Sequence, residues 1–189
     1  MSVDWDNIPE GNRGEGFDAD LVARVGGRDV RVPFNGGWLN YQDATHTSGS
    51  PQAVLADTST LLTIDGAGAN TIDDYRRSIG NDIWASSTFN PAKVGETYMV
   101  RLTLSVSKAV SSDEWIEIDL GIGSGYSTII ASDRQPLIKG SGVTDKKSFL
   151  FPIYCLEEFG SVGGRFFILA SAAVNVWGKA IFIQRTFTP

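Results

Sequence analysis

"IEIDLGIGSGYSTII", residues 116–130, reads as a β-strand running into a glycine loop. Its glycines, Gly121, Gly123 and Gly125, admit two readings that lead to different folds. A dinucleotide-binding loop needs G-x-G-x-x-G and then a helix whose N-terminal amides face phosphate. The third glycine's position is Tyr126 here, and the following "YSTIIAS" is β-branched and aromatic, a strand former. No lysine follows at P-loop spacing. The glycines are therefore read as supplying positive φ or letting a neighbouring backbone approach.

Outward from this stretch the signals are almost all strand. "TYMVRLTLSVS", residues 97–107, sets Tyr98, Val100, Leu102, Leu104 and Val106 against Met99, Arg101, Thr103, Ser105 and Ser107. That period of two with one apolar face marks a half-buried antiparallel strand. "WIEIDLGI" repeats it, with Ile116, Ile118, Leu120 and Ile122 opposite Glu117 and Asp119. "KSFLFPIYC", "RFFILAS" and "GKAIFIQRTF" follow the same rule. Pro152 cannot donate to a ladder and marks an edge or a bulge. Shorter candidates lie at 52–56, 60–64, 82–88, 126–131, 135–139 and 173–177. One short helix is predicted at "NTIDDYRRSI", residues 70–79, where Thr71 and Asp74 resemble a capping box. Strands separated by Gly, Ser and Asp turns, none alternating with a long helix, exclude a parallel βαβ sheet. They predict an all-β antiparallel sandwich or jelly roll over residues 36–189.

An appendage precedes that domain at residues 1–35. Residues 1–20 are acidic and polar, with isolated Trp5, Ile8 and Phe17, and cannot form a core alone. Large apolar residues spaced along a polar tail read as docking anchors. In "LVARVGGRDVRV", residues 21–32, a Gly-Gly pair between two alternating runs predicts a tight hairpin. With Gly26-Gly27 as the turn, Val25 faces Arg28, Arg24 faces Asp29, Ala23 faces Val30 and Leu21 faces Val32. Leu21, Ala23, Val30 and Val32 then share an apolar face. An isolated hairpin is marginal, so that face needs a partner.

Composition narrows the function. A net charge of −6 without a dense Lys/Arg run disfavours nucleic acid and anionic membranes as partners. No apolar stretch approaches the length of a membrane span, and the N-terminus lacks the apolar core of a signal peptide. Synthesis in a cytoplasm is the expectation. The single cysteine, Cys155, sits in an apolar run and reads as a buried thiol. The single histidine, His46, lies in a polar loop without a nucleophile-elbow setting. Two such residues do not make a zinc site. Glu117 and Asp119 share a strand face, their Cα atoms about 7 Å apart. Glycosidase pairs and calcium sites use carboxylates at such distances, but a solvated face is the simpler reading. No catalytic residue, metal or cofactor is expected. Trp38 and Trp115 are aromatics placed for a glycan platform or a protein interface, since Trp115 falls on the polar face of its strand.

The C-terminal half, through "YMVRLTLSVS", "GGRFFILAS" and a last strand "AIFIQRTF" ending at the terminus, resembles compact jelly rolls on tailed-phage virions. These are capsid decoration (cement) proteins, head fibres and tail-fibre heads, with a layout like tumour-necrosis-factor and C1q modules. The resemblance covers residues 80–189. It implies a homotrimer with apolar residues of one sheet facing the three-fold axis, and a structural, non-enzymatic role on a bacteriophage virion. Capsid decoration is the expected function, with the major capsid protein or other virion proteins as partners. The contact residues would be Trp5, Ile8, Phe17, Leu21, Val30 and Val32. Two alternatives are a tail-fibre head binding a receptor or host-surface glycan and, more remotely, a β-sandwich hydrolase.

Overall fold

A computed structural model describes the backbone of Leu21–Val25 and Arg28–Val32, and residues 37–189 apart from 66, 67, 69, 77, 78, 80–82 and 92. Trp5, Ile8, Phe17 and the Gly26-Gly27 turn lie outside the described residues. The chain divides into two compact units, Met1–Asn35 and Gly36–Pro189.

The first unit contains a two-stranded antiparallel sheet of β1 (Leu21–Val25) and β2 (Arg28–Val32). Its register pairs Leu21 with Val32, Ala23 with Val30, Arg24 with Asp29 and Val25 with Arg28. These are the pairs the alternation and the Gly-Gly signal require.

The second unit is a sandwich of two sheets. Its strands are β3 (Gly37–Gln42), β4 (Gln52–Val54), β5 (Thr60–Leu61), β6 (Trp84–Ala85), β7 (Thr88–Phe89), β8 (Thr97–Lys108), β9 (Trp115–Ile122), β10 (Thr128–Pro136), β11 (Thr144–Tyr154), β12 (Gly164–Ala170) and β13 (Val174–Phe187). A single short helix among the described residues, α1 (Glu157–Val162), precedes β12. One sheet runs β10-β9-β12-β7-β6 with β5 on β12; the other runs β11-β8-β13-β3 with β4 on β13. All named strand pairs are antiparallel.

The core forms where the two alternating patterns meet. Ile116, Ile118, Leu120, Phe166 and Ile168 come from one sheet; Val100, Leu102, Val106, Phe149, Ile181 and Ile183 come from the other; all are fully buried. Cys155 is buried too, as expected. Pro152 sits on β11, the edge strand of its sheet, where a missing donor costs no central ladder bond.

The glycine loop of the opening stretch is a turn. Residues Ser124–Tyr126 form one 3-10 turn closed by Tyr126 N–H donating to the Gly123 carbonyl at 3.0 Å. Gly123 and Gly125 have φ of 76° and 67°, values that disfavour a side chain. A Cβ on Gly121 would lie 2.4 Å from the Tyr126 carbonyl oxygen, so the backbone does approach closely there. Strand β10 follows, not a helix.

The predicted helix over 70–79 does not form among its described residues. Ile72 bridges Asn40 in two-way backbone hydrogen bonds of 2.8 Å, and Trp38 N–H donates to the Tyr75 carbonyl. The Thr71 hydroxyl, expected to cap, instead accepts from the backbone N–H of Gln42. Competition from the open edge of β3 outweighs a weak local cap. Two pairs of short candidates also merge: 126–131 with 135–139 into β10, and 173–177 with the final run into β13.

Candidate assembly surface

The outward face of the β11-β8-β13-β3 sheet carries an apolar patch among its polar residues. Its register sets Leu150, Arg101, Phe182 and Asn40 in one row, and Pro152, Met99, Gln184 and Trp38 in the next. Trp38 stacks on Tyr75 with centroids 4.9 Å apart and tilts against Phe182 at 5.6 Å. The Arg101 guanidinium lies 5.3 Å from the Phe182 centroid. Leu150 is 57% exposed and Tyr154 58%. Among the described residues of these four strands, Arg101 and Lys146 are the only charged side chains facing outward. An apolar patch flanked by uncharged polar side chains, with no carboxylate on the face, suits burial against another surface.

A second apolar surface lies at the seam between the two sheets. The edge strands β10 and β11 leave a groove of about 270 Å³ lined by Ile122, Ile130, Ile153, Leu156 and Phe159, among others. Ile129, Ile130 and Leu156 beside it are exposed. Strand β10 pairs only with β9 and carries a bulge between Ile129 and Ala131. A bulge at an edge twists the strand and discourages indiscriminate pairing.

Trp115 is half-buried, with the Arg134 guanidinium 3.8 Å from its ring centroid. Arg134 also donates to Glu117, and the Ser132 hydroxyl donates to Asp119 at 2.5 Å. Both carboxylates are therefore engaged by residues directly across the β9–β10 ladder, the usual economy of a sheet surface. Among the described residues no group of three or more His, Cys, Asp or Glu is placed to hold a metal ion. No described helix is long and apolar enough to cross a membrane.

Two buried polar clusters escaped the sequence reading. In the first, Glu96 accepts from the Tyr98 hydroxyl at 2.7 Å and from Arg185 at 3.1 Å. Burial alone would raise the Glu96 carboxyl, but hydrogen bonds from Tyr98 and the Lys93 backbone and the Arg185 charge hold it below its ordinary range. Burial, then Glu96, pushes the Tyr98 phenol up. A tyrosine on an apolar strand face must find a hydroxyl partner, and that was the available signal. In the second, Asp43, His46 and Lys179 meet between β3 and β13. His46 is thus not a merely solvated loop residue. The signal was Lys179, a cation beside an apolar run.

No protein-family model matches the chain, and no curated protein matches it. Among solved structures, the chain is similar to Eiger TNF from S. frugiperda, with a TM-score of 0.50, 9% identity, and coverage of 82% of this chain and 95% of that one. It is also similar to the PRD1 vertex protein P5, with a TM-score of 0.47, 16% identity, and coverage of 87% and 79%. A cyclase from Fischerella sp. TAU matches at a TM-score of 0.35, 16% identity, and coverage of 83% and 88%. The Eiger likeness shows the fold. This chain has a tumour-necrosis-factor-like jelly roll. Fold of itself carries no activity.

Proposed function

We propose that this protein is a non-enzymatic surface component of a bacteriophage virion: a homotrimeric jelly roll that decorates the capsid and strengthens it. The observation that carries this reading is the apolar patch of Leu150, Met99, Phe182 and Trp38 on the outward face of the β11-β8-β13-β3 sheet. The phage-virion resemblance over residues 80–189 supplies the setting and the number three. The sheet face and the β10–β11 seam are two different apolar surfaces of one molecule. When unlike patches of identical copies meet, the contact is heterologous and closes a ring if the rotation permits.

Charge favours the same reading. Residues 1–20 hold six carboxylates and one arginine, a net −5 against −6 for the whole chain. The jelly roll with its hairpin is therefore almost neutral, so copies of it repel one another little. The acidic segment, with Trp5, Ile8 and Phe17 as anchors and Leu21, Val30 and Val32 on the hairpin, engages the major capsid protein or a neighbouring subunit. Contacts repeated over a lattice act together, so modest affinity per site suffices.

Sedimentation equilibrium of the purified chain tests the assembly: a mass three times that of the sequence supports the proposal, and a monomer at micromolar concentration ends it. The second reading, a glycan-binding tail-fibre head, draws on the Trp38–Tyr75 stack, where Tyr75 is 56% exposed. It predicts glycan-array binding that is lost on Tyr75→Ala.

A further inference from the structure

The Asp43–His46–Lys179 cluster brings an amine, a carboxyl group and an imidazole into mutual contact. Asp43 lies one residue past β3, and Lys179 lies in the bulge between Trp177 and Ala180 of β13. Asp43 N–H donates to the Lys179 carbonyl at 2.8 Å, so the two side chains leave neighbouring backbones and converge. Lys179 Nζ stands 3.1 Å from Asp43 Oδ2, and both side chains are 0% exposed. His46 Nδ1 lies 2.8 Å from that same Oδ2 and 3.0 Å from Nζ. The other carboxyl oxygen, Oδ1, accepts from the Thr45 backbone N–H at 2.9 Å. Gln52 Oε1 accepts from Nζ at 2.6 Å, and its amide is fixed by Nε2 donating to the Leu61 carbonyl.

We propose that Lys179 and Asp43 condense into an intramolecular amide, with His46 as the proton carrier. His46 Nδ1 takes a proton from the Lys179 ammonium and passes it to Asp43 Oδ2, which leaves a neutral amine facing a neutral carboxyl group. The freed Nζ lone pair attacks Asp43 Cγ, a C–N bond forms, and the carbonyl electron pair moves onto Oδ1, where the Thr45 N–H meets it. His46 then carries a second proton from Nζ to Oδ2. The Cγ–Oδ2 bond breaks, its electron pair stays with oxygen, and one water departs. One ammonium and one carboxylate give one neutral amide and one water, with no oxidant or co-reactant.

Three physical terms favour the step. Lys179 Nζ is held against the Asp43 carboxyl group, 3.1 Å from Oδ2, which removes much of the entropic barrier. An imidazole bridging nucleophile and leaving group is a general acid–base in place. The product replaces two desolvated charges by one neutral group, relieving the penalty of a buried ion pair. Burial pushes the Lys179 ammonium below its ordinary range despite Asp43, which eases loss of its first proton. His46 is 21% exposed, so the departing water has a route out beside it. The bond would staple the first strand of the jelly roll to its last.

The test is the intact mass of the purified full-length chain under denaturing conditions. The expected mass is lower than the sequence by one water, with proteolysis yielding one branched peptide joining Asp43 to Lys179. His46→Ala and Lys179→Arg restore the full sequence mass, while Asp43→Asn releases ammonia instead of water. A wild-type protein shown by circular dichroism to be folded, yet keeping its full mass after days at neutral pH, overturns the proposal. So does a branch mapped to any other pair. The wild-type measurement decides even if a variant fails to fold.

Discussion

At the scale of single residues, the buried Glu96–Arg185 pair dominates. Both side chains are almost fully buried, Glu96 at 0% and Arg185 at 3% exposed. Glu96→Gln leaves the guanidinium without its charge partner, and urea denaturation at neutral pH is expected to show a loss of about 3–5 kcal/mol. The acid limb has a definite sign. Glu96 is depressed from its ordinary value of 4.5 in the folded state. Its stabilisation is therefore complete above about 4.5 and disappears as pH falls through the folded value. Between pH 5 and pH 3 the wild type should lose more stability than Glu96→Gln; equal slopes would remove Glu96 from the account. Cys155 gives a second expectation. Burial, with Glu96 nearby, pushes its thiol up to about 12. It should resist thiol reagents at neutral pH and react on denaturation. Cys155 was legible in the sequence because an apolar run predicts burial. The Glu96–Arg185 pair was not, because its partners are far apart in the chain and meet only when β8 and β13 pair.

At the scale of elements, the turn after β9 separates two roles of glycine. Gly121 is required for space, because a Cβ would strike the Tyr126 carbonyl oxygen at 2.4 Å. Gly125 is required for conformation alone: its φ is 67° and nothing lies within 4 Å of a Cβ there. Thermal and urea unfolding should therefore show a loss of about 3 kcal/mol for Gly121→Ala and about 1 kcal/mol for Gly125→Ala. A reversed order would show that the close approach is relaxed easily. Long strands were legible because alternation over many residues is hard to satisfy by accident. The misread helix at 70–79 shows the converse. Four residues of capping signal are a weak local preference, and the unfilled edge of β3 offered backbone partners to the same stretch. The hairpin register was legible entirely, since the alternation of β1 and β2 admits one pairing that puts their apolar residues on one face.

At the scale of the whole molecule, assembly and attachment are separable. Leu150 is 57% exposed and packs outward, so Leu150→Asp should change monomer stability by only about 0.5 kcal/mol. On the proposed interface it should nonetheless abolish the trimer in sedimentation; an unaffected trimer would place the contact elsewhere. Deleting residues 1–20 should leave the trimer intact and lower retention on purified particles. Because that segment carries most of the negative charge, retention of the full-length protein should also fall with rising salt. Unchanged occupancy in either experiment would exclude the arm as the grip.

Alternation, turn chemistry and the absence of long helical periods determined from sequence alone that this chain is an antiparallel sandwich with a hairpin before it. Each of those signals is local, spanning a few residues that read the same way wherever they lie. Tertiary structure alone decided which strands became neighbours. That choice brought Asp43 to Lys179 and Glu96 to Arg185, and gathered Trp38, Phe182 and Leu150 onto one face. Such meetings depend on sheet order and register between strands distant in the chain, and no short stretch of residues encodes them.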